Sequence, residues 1–110
     1  MPLEGETVHP LAEKWMYLES AWLMAMKAAE LYDTGLPCGA EANATKFLGA
    51  RAGQVAAWQA IMTHGGMGYA KEFHVERLFR EVSLVRLAPV TEQLILSFIA
   101  EKALGLPKSY

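Results

Sequence analysis

The chain has 110 residues and a formal net charge of −2, with 53% hydrophobic and 20% charged residues. That is one domain's length and too apolar for a disordered chain, and it excludes a phosphate-neutralising basic face. The one basic run, Arg77, Arg80 and Arg86, is interleaved with Glu76 and Glu81.

The single cysteine, Cys38, allows no intramolecular disulfide and fits a reducing, cytoplasmic setting. The start, Met1-Pro2-Leu3-Glu4-Gly5-Glu6, has neither the positive n-region nor the apolar h-region of a signal peptide. Every long apolar stretch is interrupted by Glu, Lys or Arg, so no membrane span is expected.

Taken in chain order, the pattern predicts four helices and no strand. The first covers about residues 10–33: Pro10 suits a first turn, and Gly35 with Pro37 suits a stop. Leu11, Trp15, Leu18, Trp22, Ala25, Ala29 and Tyr32 recur at steps of three and four, which is one helix face. Met16, Leu23 and Met26 widen it, and so broad a stripe predicts burial against more than one neighbour. A turn at 36–40 leads to a second helix over about 41–63, carrying Phe47, Leu48, Val55, Trp58 and Ile61 among many alanines. Gly65, Gly66 and Gly68 break it. A short third helix follows over about 72–84, then an apolar stretch to Val90 with a boundary at Pro89. The last helix covers about 90–104, with Thr91 and Glu92 in its first turn and Gly105 and Pro107 ending it. The expected fold is all-α: an up-down bundle of two long and two shorter helices, in one domain over 1–110. The long pair should pack antiparallel, with the last helix completing the bundle against them. Trp15, Trp22 and Trp58 are large for so small a core, so part of that surface is expected to meet another subunit or a further part of the protein.

Few residues point to chemistry. His9, His64 and His74 lie on separate segments and Cys38 stands alone, so no metal site is expected. G-x-S-x-G, a P-loop and a strand-to-helix G-x-G-x-x-G are all absent. The glycine loop at 65–68 has two readings: a plain helix–loop–helix turn, or a backbone stripped of Cβ atoms so that a ligand can lie against it. His64 is either a ligand or proton-carrying group or a loop cap. Glu76, Arg77, Arg80 and Glu81 are read as surface ion pairs. Thr91 suits a helix cap, a ligand contact, or both.

The stretch Ala60-Ile61-Met62-Thr63-His64-Gly65-Gly66-Met67-Gly68-Tyr69, followed by residues 71–81 with Glu76-Arg77-Leu78-Phe79-Arg80-Glu81, resembles the C-terminal domain of acyl-CoA dehydrogenases. Those proteins carry a Gln-x-His/Phe-Gly-Gly-x-Gly-Tyr loop before a Glu-Arg-Leu-Tyr-Arg-Asp-like helix. The resemblance extends to Val8-His9-Pro10-Leu11-Ala12, to Ala44-Thr45-Lys46-Phe47, and through Thr91 to Gly105. It also reads residues 104–110 as the ending of one family branch. It implies FAD-dependent α,β-desaturation of an acyl-CoA thioester, with a glutamate removing the α proton and FAD taking the β hydride. It implies that Met62, Thr63, His64, Gly65 and Gly66 face the FAD of a neighbouring subunit. Thr91, Glu92 and Gln93 would lie near the flavin end of a dinucleotide. Partners implied are a homo-oligomer and acyl-CoA, with no nucleic acid or membrane.

Two departures bear on activity. The family's loop glutamine falls at Met62, which cannot make the same hydrogen bonds. The family's Tyr-Glu-Gly-Thr segment falls at Ala88-Pro89-Val90-Thr91, and proline cannot act as a base, so no catalytic residue is expected here. The resemblance also places no counterpart of the family's N-terminal helical and middle β-domains in this chain, so the isolated chain is expected to be inactive. The alternative is a non-catalytic helical bundle that only self-associates. A membrane-surface helix fits less well, because the first helix's polar face holds Glu13, Glu19 and Glu30 beside Lys14 and Lys27.

Overall fold

The second helix is the spine of the molecule, and every other helix packs on it. The structure, a computed structural model, describes residues 5–108. Among them are four α-helices and no strand: α1 Gly5–Asp33, α2 Gly39–His64, α3 Val75–Leu87 and α4 Glu92–Lys102. Two 3-10 turns, Gly65–Tyr69 and Lys71–Phe73, link α2 to α3. The expected all-α bundle with two long and two shorter helices is therefore what forms. The expectation of no signal peptide falls largely on residues 1–4, which, like the last two residues of the family-like ending, lie outside the described residues.

Sequence explains most of the helix boundaries. Gly35 takes φ +78° after α1. Leu36 N–H donates to Leu31 C=O (2.9 Å) and Gly35 N–H to Tyr32 C=O (3.1 Å), the paired bonds of a glycine-closed helix end. Gly105, at φ +68°, closes the end of α4. Thr91 caps α4, its hydroxyl accepting from Leu94 N–H at 3.3 Å. Three starts differ from expectation. α1 begins at Gly5, so Pro10 lies inside it; the ring costs the helix one N–H donor and does not stop it. α3 begins at Val75, because His74 adopts a left-handed φ of 64° and separates it from the 3-10 turn before. α4 starts at Glu92, since Thr91 is extended at its N-cap.

α1 and α2 are antiparallel, as two long helices on a short turn must be. α3 runs back along the C-terminal half of α2: Trp58 meets Phe79 with ring centroids 5.6 Å apart, and Gln54 meets Ser83 at 3.0 Å. α4 continues in α3's direction, bent from it by 46°. It packs on the N-terminal half of α2, where the ring of Phe98 sits on Gly39. It does not complete the bundle against both long helices, because no comparable packing joins α4 to α1.

Most of the first helix's apolar face points outward. Ala21 is buried and Met24, Ala25, Ala28 and Leu31 are half-buried, whereas Trp15 and Trp22 are each 62% exposed. Small residues let α1 and α2 approach closely, and the bulky ones are left on the far side. The radius of gyration is 16.9 Å, against about 13 Å for a self-contained domain of this length. The surface is 7917 Å², against about 6,000 Å² for a self-contained monomer of this mass. No single helix among the described residues is long and apolar enough to cross a membrane.

Candidate functional site

The glycine loop closes the C-terminal end of α2. Gly65 takes φ +66°, a conformation glycine adopts freely, and its N–H donates to Met62 C=O. Gly68 is buried, and a Cβ there would come within 2.9 Å of Ile61 Cα. That glycine lets the 3-10 turn press onto the α2 backbone. Gly66 differs from both: its φ is not positive, and nothing lies within 4 Å of where a Cβ would stand. Folding of this chain places no demand for glycine at position 66.

The side chains around the loop are open. Met62 is 58% exposed. His64 is exposed and anchored through Nδ1 on Ala60 C=O at 2.8 Å, with Phe73 beside its ring at 5.7 Å. A carbonyl can only accept, so Nδ1 is the donor in this contact, and Nε2 is left facing away from the helix end. His64 is thus a helix-end cap with one free face.

The second predicted group sits at the start of α4. A cleft of about 370 Å³ is lined there by Gln54, Ser83, Arg86, Thr91, Glu92 and Gln93 among others. Thr91's lone pair is engaged by Leu94 N–H, while its hydroxyl proton is free to donate. Gln93 is exposed. Pro89 lies exposed in the α3–α4 connection, where it supplies no titratable group.

Glu92 organises this end of the molecule. Both its oxygens are gripped twice. Arg51 donates from Nε and Nη2 at 3.1 and 3.0 Å, and Arg86 from Nε and Nη2 at 2.8 and 3.1 Å. Such fork-on-carboxylate pairs are geometrically selective. The hydrogen bonds from Arg51 and then Arg86 hold the Glu92 carboxyl down at about 2. Arg86 Nη1 also donates to Gln54 at 2.6 Å, Gln54 to Ser83, and Ser83 to Phe79 C=O at 2.7 Å. On the other side of the connection, Lys46 Nζ donates to Val85 C=O and, at 3.0 Å, to Val90 C=O. α2 thereby fixes both ends of the 88–91 turn.

The structure gathers Met62, His64, Gly65 and Gly66 at one place and Thr91 with Gln93 at another. It does not bring the two groups together. Glu92 sits opposite Arg51, and the helical rise from there to Gly65 is about 20 Å. Sequence reasoning missed Lys46, Arg51, Gln54 and Ser83, whose partners lie 29–44 residues away and leave no local signal. Arg77–Glu81 (3.4 Å) and Arg80–Glu76 (3.0 Å) are the expected ion pairs along α3. No group of three His, Cys, Asp or Glu among the described residues is placed to hold a metal.

Comparison with known proteins places this geometry in a lineage. The family model described as "Acyl-CoA dehydrogenase, C-terminal domain" matches residues 7–104. The chain is 42% identical over 104 residues to the acyl-CoA dehydrogenase FadE12 of Mycobacterium tuberculosis, covering 93% of this chain and 27% of that protein. It is 34% identical over 95 residues to an acyl-CoA dehydrogenase of Bacillus subtilis, covering 86% and 25%. It is 34% identical over 84 residues to the short-chain specific acyl-CoA dehydrogenase, mitochondrial, of Bos taurus, covering 76% and 20%. The chain thus spans about a quarter of the length of these relatives.

Proposed function

The chain belongs to the acyl-CoA dehydrogenase family, and we propose that it serves as the C-terminal helical domain of an FAD-dependent oxidoreductase that desaturates an acyl-CoA thioester between its α and β carbons. In this reading it contributes contacts to FAD across a subunit interface. The observation that carries it is Gly66, a glycine the chain's own folding does not require, on an exposed loop with free space above the backbone. Absence of a side chain at such a point suits close approach by something outside the chain.

The residues fit a contact with FAD made from one side, not an enclosing pocket. Gly65 and Gly66 offer uncovered backbone. Met62 offers an apolar side chain, and His64 offers Nε2 to a polar group of the ligand. Thr91 and Gln93, about 20 Å away along α2, would meet a different part of the cofactor or a second one. None of these six carries a permanent positive charge, so the FAD diphosphate must be neutralised by other parts of the assembly. When bound, FAD supplies the hydride acceptor. The chain's own part is to position: Glu92, Arg51 and Arg86 hold the start of α4, and Lys46 holds the turn before it. Pro89 moves no proton, so the position that matches the family's glutamate segment supplies no base here.

The isolated chain is accordingly expected to bind FAD weakly or not at all and to catalyse nothing. Purified chain should carry no flavin absorbance and should reduce no electron-accepting dye when given an acyl-CoA; a yellow, active preparation overturns the reading. A reading frame that continues upstream into a β-domain supports it.

A second reading, a non-catalytic bundle that self-associates, is favoured by the α1 surface. Trp15, Trp22, Leu23, Met16 and Met26 stand at least half exposed on one helix. The surface excess of roughly 1,900 Å² over a self-contained monomer is more than the ~800 Å² that each partner of a standard interface buries, and is of the order that one side of a large, permanent interface covers. Light scattering at micromolar concentration tests it, and a clean monomer counts against it. The two readings are compatible if the α1 face joins copies within the oxidoreductase.

A further inference from the structure

Between the last turns of α2, the glycine loop and α3 lies a cleft of about 480 Å³ that neither group of predicted cofactor contacts lines. Its size is that of a small-molecule site. Trp58, Ile61, Tyr69 and Phe79 form its apolar wall, and Lys71 and Arg80 stand with them. Trp58 and Phe79 meet at 52°, which leaves Trp58 half exposed, and Tyr69 is 89% exposed with no ring partner among the described residues. The aromatic surface is therefore assembled on one side of the cleft and left open to water on the other.

The polar groups choose the sign of an occupant. The Lys71 ammonium makes no hydrogen bond or ion pair among the described residues, its backbone carbonyl alone being engaged, by His74 N–H at 3.2 Å. Arg80 uses only Nε, on Glu76 at 3.0 Å, and its Nη1 and Nη2 groups have no partner among those residues. Glu76 offsets one of the two positive charges, so the cleft carries a net charge of about +1 at neutral pH. An aromatic wall alone would also attract cations. Lys71 and Arg80 oppose that and favour a single negative charge. A flat body suits tilted rings better than a flexible chain, because stacking requires a planar face.

We propose that this cleft binds an aromatic monocarboxylate, its ring against Trp58 and Tyr69 and its carboxylate paired with Lys71 and the free edge of the Arg80 guanidinium. The site is independent of the FAD contacts at Met62–Gly66 and of whether the chain takes part in acyl-CoA chemistry.

The test is calorimetric titration of the purified chain with 2-naphthoate, 2-naphthamide and decanoate. Saturable binding of one equivalent of 2-naphthoate is expected. The uncharged amide should bind about tenfold more weakly, the loss expected for one charge-assisted contact. Lys71→Gln with Arg80→Gln alters only exposed side chains and should weaken naphthoate by at least that factor while leaving the amide unchanged. Trp58→Ala should weaken both aromatic ligands. Because that change also unpacks Phe79, Tyr69→Ala serves as a second wall variant at a fully exposed position. No saturable binding at millimolar ligand overturns the proposal, as does equal affinity for naphthoate and naphthamide. Decanoate binding as tightly as naphthoate overturns the aromatic assignment, and an unchanged affinity in the Lys71/Arg80 double variant overturns the carboxylate pairing.

Discussion

Arg86 and Glu92, six residues apart across the turn between α3 and α4, are joined by two hydrogen bonds of 2.8 and 3.1 Å. Arg51 reaches the same carboxylate from α2 with two more. One carboxylate thus ties three helices, and it does so at the first turn of α4, where the helix dipole also favours negative charge.

That arrangement predicts acid sensitivity with a definite sign. The Glu92 carboxyl is depressed in the folded chain from 4.5 to about 2, so its stabilisation is fully present above about pH 4.5. It is lost progressively as the pH falls from there towards 2, as the folded-state carboxylate takes up its proton. Glu92→Gln should cost about 2 kcal/mol at pH 7, measured by urea unfolding. The difference between the variant and the parent should shrink between pH 4.5 and pH 2. A constant difference across that range would count against the carboxylate's role.

Gly66 and Gly68 should respond oppositely to alanine. At Gly68 the added methyl meets the Ile61 backbone, which cannot move aside cheaply. Gly68→Ala should destabilise by about 2 kcal/mol. Gly66→Ala finds open space and should change stability by less than about 0.5 kcal/mol. Thermal unfolding of the two variants side by side checks this, and the family-type function predicts that Gly66→Ala harms only flavin contact in a complete assembly.

Lys46→Met removes the cation that holds Val85 C=O and Val90 C=O. The alkyl stem stays, so packing is kept and the carbonyls are released. Hydrogen exchange of the amides around residues 88–91 should rise by roughly tenfold, the equivalent of about 1.4 kcal/mol of local opening. Exchange at the α1–α2 turn should not change.

The α1 face offers a test with no folding cost. Trp15→Gln with Trp22→Gln alters side chains already mostly in water. The unfolding midpoint of the monomeric unit should hardly move, while sedimentation should show a smaller species than the parent. A parent that is already monomeric would remove the reason to assign this face to an interface.

The sequence carried the helices plainly, because their signals are local. A three-and-four apolar rhythm, Gly35 and Gly105 at helix ends and Thr91 before a first turn each act within a few residues. The glycine loop was legible for the same reason, as residue type at fixed spacing. The direction of the apolar faces was not. Trp15 and Trp22 lie on the most hydrophobic stripe of α1, yet it is the alanines beside them that α2 covers, since close helix approach rewards small side chains. Nor did the sequence separate three glycines of one motif into three tasks: a left-handed turn at Gly65, free space at Gly66 and a tight backbone contact at Gly68. It was also silent on the Lys46, Arg51, Gln54 and Ser83 contacts, which join positions 29–44 residues apart. Family and secondary structure were set by short-range pattern. The site's two-part layout, about 20 Å apart along α2, was decided only when α3 and α4 packed against that helix.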